Sequence, residues 1–206
     1  MTAIGSYGVS LVTAPTEEPV TTAEARSHLR LDDTDFDTQI ANLVKAARGK
    51  VEAVTARQLV TATYDLTLDA LPVGTATTRL PFGQLQSVTS VTYLDTAGAS
   101  TTWSSSDYIV STAEEPGGIT PAYGIVWPSA RVVKDAATVR FVCGYGGASD
   151  VPDGLKHAIL LLVAHWFENA EAVTVGLMAT ETPLAFDALC APYLLGDYFT
   201  WYGQAD

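Results

Sequence analysis

"VTATYDLTLDAL" spans residues 60–71, and its reading decides the fold. Val60, Ala62, Tyr64, Leu66 and Leu68 alternate with Thr61, Thr63, Asp65 and Thr67. A period of two puts one set of side chains on each face of a half-buried strand. Immediately upstream the period is different. In "DDTDFDTQIANLVKAARGKVEAVTARQL" (32–59), Ile40, Leu43, Val44, Ala47, Val51 and Val54 recur at helical spacing, with Lys45, Arg48 and Glu52 off that stripe. The chain therefore leaves a long amphipathic helix near Arg57 and enters a strand within a few residues.

Downstream, the β character continues. "TTRLPFGQLQSVTSVTYLDTAGAS" (77–100) supplies further strand material turned at "DTAG", and "SDYIVS" (106–111), "YGIVW" (123–127) and "ATVRFVCGY" (137–145) complete the set. Helices resume at Pro152, a suitable first helical residue, with Asp153 in the first turn. The helix that follows, "LKHAILLLVAHWFENAEAV" (155–173), is the most apolar stretch of the chain. A last short helix opens at "TPLAFDALCAPY" (182–193), with Thr182 as cap and Pro183 in its first position.

Upstream of the long helix, Thr21 and Glu24 have the spacing of a capping box at the start of a shorter one. Residues 1–19 mix Gly, Thr, Ser and Pro without period and read as an arm or loop. The expected class is α+β: one domain over 20–195, with about four helices within 21–57 and 152–195, and an antiparallel β unit inserted over 60–145. Residues 196–206 form a tail rich in aromatic side chains.

The 206 residues are 48% hydrophobic and 17% charged, a balance that supports a core and excludes a disordered chain. No apolar run exceeds Ala158–Ala164, too short to span a bilayer, so no membrane partner is expected. Cys143 and Cys190 fit no metal or redox spacing, which points to a reducing, cytoplasmic setting. The formal net charge of −12 repels phosphate backbones and argues against sequence-reading nucleic-acid binding. It suits a surface past which DNA slides without sticking.

Three stretches invite chemistry. His165 and Glu168 stand one helical turn apart, but the zinc-protease spacing and a second carboxylate or Cys cluster are missing. Leu155, Ala158, Ile159, Leu162 and Trp166 form an apolar seam that Leu160, Val163 and Phe167 widen, as in a buried or interfacial helix. "DDTDFD" has the alternating Asp33, Asp35 and Asp37 of a calcium loop, but Thr38 replaces its turn glycine and Val44 its closing glutamate, so helix capping is expected instead. "GYGGAS" (144–149) lacks the third glycine of a dinucleotide fingerprint and any following Walker lysine. No cofactor, metal or enzyme activity is expected.

The order of segments resembles head–tail connector proteins of long-tailed phages and gene transfer agents, also called adaptor or head-completion proteins. The likeness rests on "EPVTTAEARSHLRLDD", "LVKAARGKVEAVTARQLVTATYDLTLDALP", "LPFGQLQSVTSVTYLDTAG", "VRFVCGYG" and "VPDGLKHAILLLVAHWFENAEAV", and covers about residues 18–195. It implies a structural virion subunit in a ring, usually of twelve copies, that joins the portal to the stopper or tail and lets double-stranded DNA pass as non-specific cargo. It places the protein in the virion, and in the host cytoplasm during assembly. Ala170 and Leu194 stand where such proteins often carry basic residues, which puts any salt bridge from those positions in doubt.

Candidate contacts between copies are Lys45, Arg48, Arg57, Trp166 and Phe167, because identical acidic subunits repel unless opposite charges or apolar groups meet. Tyr198, Phe199, Trp201 and Tyr202 of the tail are candidates for docking on a partner, most plausibly the portal. Two rival readings are a carbohydrate- or protein-binding module using Trp103, Tyr108 and Trp127, and an enzyme centred on His165 and Glu168.

Overall fold

A computed structural model describes residues 7–169 and 184–195. The chain divides into two compact units, one helical and one β, and the β unit takes up Thr61–Gly144 together with the chain before Thr16.

The helical unit contains α1 (Thr22–His28), α2 (Asp37–Thr55), α3 (Asp153–Glu168) and α4 (Leu184–Cys190). The capping box at α1 forms as expected. Thr21 accepts from the Glu24 amide at 3.1 Å, and Glu24 accepts from the Thr21 amide at 2.7 Å. These backbone and side-chain hydrogen bonds from Thr21 hold the Glu24 carboxyl below the usual carboxylate range. Helix α2 buries Ile40, Val44, Ala47, Val51 and Thr55, and ends at Ala56 in the left-handed conformation (φ 56°). Helix α3 starts one residue later than expected, at Asp153, and buries Leu155, Ala158, Ile159, Leu162 and Val163. Together with Leu59, Val60 and Phe186 these side chains make one core. The expected cap and first residue of the last helix, Thr182 and Pro183, lie outside the described residues. Tyr145 donates its amide to the Leu59 carbonyl at 3.0 Å, so the two ends of the helical unit's chain break are joined.

Among the described residues the β unit has eight strands: β1 (Tyr7–Thr13), β2 (Ala62–Leu68), β3 (Thr78–Arg79), β4 (Leu85–Leu94), β5 (Ser100–Trp103), β6 (Tyr108–Ser111), β7 (Gly118–Pro121) and β8 (Ala137–Cys143). They make a five-stranded sheet in the order β1-β2-β8-β4-β5 and a three-stranded sheet in the order β3-β7-β6. All described pairings are antiparallel. The period-two alternation holds from Ala62 on, with Ala62, Leu66 and Leu68 buried, while Val60 precedes the strand and packs in the helical core. The "DTAG" turn joins β4 to β5, with the Gly98 amide donating to the Asp95 carbonyl at 2.9 Å. Leu66, Leu80, Val91, Ile119, Val139 and Phe141 form the β core. Gly117 is required there, because a Cβ would lie 2.5 Å from the Leu85 side chain and 2.8 Å from the Ser111 carbonyl.

Two expectations are corrected. The segment 1–19 is not all arm, since Tyr7–Thr13 pairs along β2 from Tyr7↔Leu68 to Thr13↔Thr63. "YGIVW" is not a strand. Gly124 takes a positive φ of 79°, and the Ile125 amide turns back to the Ala122 carbonyl at 2.9 Å.

Candidate assembly surfaces

The candidate cations on and after α2 differ in what they touch. Lys45 is exposed, away from the buried stripe. Arg48 is half-buried and donates from Nε to Glu18 at 2.6 Å and from a terminal nitrogen to Glu52 at 3.0 Å. Glu52 also accepts from Gln58 Nε2 at 2.8 Å and from the Leu59 amide at 3.1 Å. Burial pushes the Glu52 carboxyl above the usual range, while the Arg48 charge and the Leu59 amide pull it back. Arg57 is only 8% exposed; its Nε donates to the Tyr193 carbonyl at 2.5 Å, and its guanidinium lies 6.0 Å from the Tyr145 ring centre. Arg48 and Arg57 therefore hold their own subunit together, and Lys45 is the candidate cation left facing water.

Trp166 and Phe167 are half-buried and pack on the outside of the helical core. Phe36, itself 44% exposed, meets Phe167 edge to face at 5.5 Å. Leu194 is exposed. Ala170 and the docking candidates Tyr198, Phe199, Trp201 and Tyr202 lie outside the described residues.

The stretches weighed for chemistry are used structurally. Asp37 takes both its hydrogen bonds from Arg26, at 2.9 and 2.8 Å, and Asp33 accepts from the Asp35 amide at 3.3 Å. In "GYGGAS" the amides that a phosphate would need already face carboxylates. Gly147 donates to Asp150 and Ala148 to Glu17, each at 2.8 Å. Glu168 is exposed and His165 half-buried on α3, while His157 packs edge to face on His28 at 5.9 Å. No group of three His, Cys, Asp or Glu residues able to hold a metal occurs among the described residues. No described helix is long and apolar enough to cross a membrane. Both cysteines are free and buried, and burial raises the Cys190 thiol.

The three rings proposed for glycan contact point inward. Trp103, Tyr108 and Trp127 are 7%, 7% and 5% exposed. Trp103 stacks at a tilt on Tyr108 (5.2 Å) and Trp127 (4.7 Å), and Trp127 donates to the Ala76 carbonyl at 2.7 Å. They are core, and offer no flat aromatic platform to a sugar. What the β unit does expose was not singled out from the sequence: Ile109, Tyr123, Val126 and Val132, with Leu11 and Val12 on β1. Only the structure separates these from the apolar residues that are buried.

Among the described residues the chain is thus an α+β protein, with four α-helices in one unit and two antiparallel sheets in the other. More narrowly, the chain belongs to the head completion protein family, whose model matches residues 19–176. Solved structures agree on the fold. A chain in the neck of the native gene transfer agent particle, computed with C12 symmetry, is 24% identical with a TM-score of 0.71 over 92% of this chain and 98% of its own. One in the virion of the native particle is 25% identical with a TM-score of 0.70, over 91% and 97%. One in the neck of the empty particle, computed with C6 symmetry, is 24% identical with a TM-score of 0.70, over 92% and 98%. No curated protein matches at a significant level.

Proposed function

We propose that the chain is a structural, non-enzymatic subunit of the neck of a tailed particle. Copies form a ring, with twelve the expected number, that joins the portal of the head to the stopper or tail and lets DNA through. The family match over residues 19–176 carries this reading. The cyclic symmetry used for the related necks supports a ring. A net charge of −12 supports a channel wall that double-stranded DNA passes without being held.

Electron microscopy of particles made without this chain tests the proposal. Filled heads separated from tails are expected, with joining restored by adding the purified protein; normal joined particles would overturn it. Within this reading, Lys45, Trp166 and Phe167 remain contact candidates between copies, and residues 196–206 dock on the portal. Deleting 196–206 should keep the melting temperature and abolish co-sedimentation with portal. A large fall in melting temperature with portal binding retained would place the tail on its own domain.

A further inference from the structure

We propose that the β unit joins neighbouring copies through its two sheet edges, with β1 of one copy pairing along β5 of the next. This rests on the ring reading above, and adds which surfaces close the ring and by what bonds.

In the five-stranded sheet, β1 and β5 are the terminal strands. In an antiparallel pair, every second residue turns its amide and carbonyl away from its partner. From Gly8 to Thr13, the side of β1 away from β2 meets no strand among the described residues, and the same holds for the side of β5 away from β4. Folded proteins normally blunt such edges with charge, proline or a covering element. Charge and proline are absent here; the blunting that remains is a register irregularity in β1 between Leu11 and Thr13 and the four-residue length of β5. The segment Gly8–Thr13 has no charged residue and no proline, and the same is true of Ser100–Trp103. Leu11 and Val12 on β1 are 52% and 43% exposed.

Gly8 supplies an independent observation. Its φ is not positive, and a Cβ there would meet nothing within 4 Å, so nothing among the described residues of the subunit requires glycine. Glycine inside a strand weakens it, and commonly marks the close approach of another backbone.

The occupant follows from symmetry and charge. In a ring, each copy meets the next through two different surfaces, and the two edges of one sheet are different surfaces. Copies of a chain with charge −12 repel, and repulsion is least where both faces are neutral. The neutral runs are long: no Asp, Glu, Lys, Arg or His occurs in residues 1–16 or 96–106. Main-chain hydrogen bonds then hold the joint, with Leu11 and Val12 packed on the neighbour.

Backbone amide exchange on the full-length protein tests the idea, with ring and free-subunit fractions separated by sedimentation. Amides within 8–13 and 100–103 are expected to exchange at least about tenfold more slowly in the ring than in the free subunit. The double variant Gly8→Val, Leu11→Lys, which changes only exposed positions, is expected to keep its melting temperature and to need at least about tenfold more protein to assemble. Rings whose 8–13 amides exchange as in the free subunit, or that form equally well from the variant, overturn the edge proposal and leave the ring reading standing. A wild-type protein that stays monomeric at every concentration, and also with portal present, overturns the ring reading and the edge joint with it.

Discussion

In the helical unit, Arg48 sits between Glu18 and Glu52 on a half-buried face, and Arg57 is buried on the Tyr193 carbonyl. In the β unit, Arg140 reaches Asp65 through two hydrogen bonds of 2.8 Å, and Lys134 meets Asp69 at 2.8 Å, with both cations exposed and both carboxylates half-buried beneath them. The difference lies in what each charge holds. Removing Arg48 leaves the half-buried Glu52 carboxylate, whose charge burial already disfavours, without its counter-ion, which costs more than the pair itself contributes. Removing Arg140 leaves Asp65 to water. The helical unit adds polar joints to its apolar core, and the β unit adds packed aromatic rings to its own. Cations committed inside a subunit cannot neutralise a neighbour, so like-charged copies are better joined where charge is absent.

The comparison can be broken first in the β core. Phe141 is fully buried and stacks on Tyr64 at 6.0 Å. Phe141→Ala is expected to cost about 3–5 kcal/mol, read as lost amide protection in β2, β4 and β8. Retained protection in α2 and α3 would show that the two units unfold separately, and equal loss would show one cooperative block.

Glu52→Ala should come next. It removes the acceptor for Gln58 and the Leu59 amide and leaves Arg48 with Glu18 alone, for about 2–4 kcal/mol by denaturant titration followed by helical circular dichroism. Glu52→Gln keeps an acceptor and should cost less. The two also differ with pH. Because burial raises the folded Glu52 above its ordinary value, the folded state binds this proton more tightly than the unfolded one. Wild-type stability relative to Glu52→Gln should therefore fall as pH rises from the ordinary carboxylate value through the raised one. A flat or rising difference would mean that the Arg48 charge outweighs burial.

Smaller effects sharpen the contrast. Thr21→Ala removes one half of the α1 capping box and should cost about 1 kcal/mol, visible as a lowered melting temperature. Arg140→Ala should leave the unfolding midpoint unchanged within error. A drop comparable to that of Glu52→Ala would erase the distinction between the units.

Much of the fold was legible because it is local. The capping box, the α2 stripe, the β2 alternation and the "DTAG" turn each depend on residues a few positions apart. Strand β1 was not legible. Gly8 and Ser10 read as turn formers, and only pairing with β2, some fifty residues on, makes them strand. The contact candidates fared similarly. Glu52 lies four residues after Arg48, so that half of the joint was visible, but Glu18 and the Tyr193 carbonyl come from distant parts of the chain. Trp103, Tyr108 and Trp127 look the same in sequence whether they bind a ligand or fill a core. Burial decides, and it is set by the whole β unit.

The hydrogen bond from Tyr145 to Leu59 ties together two residues with the whole of Thr61–Gly144 between them. The helical scaffold is in this sense a closed circuit, and the intervening chain an excursion that leaves and returns at one point. Closure entropy grows slowly with excursion length, by about 0.6 kcal/mol for each doubling. A shorter hairpin, or a foreign domain with adjacent ends, could replace the excursion at little cost to the scaffold. The same helical frame is thus expected to accept inserts of different size between Val60 and Tyr145.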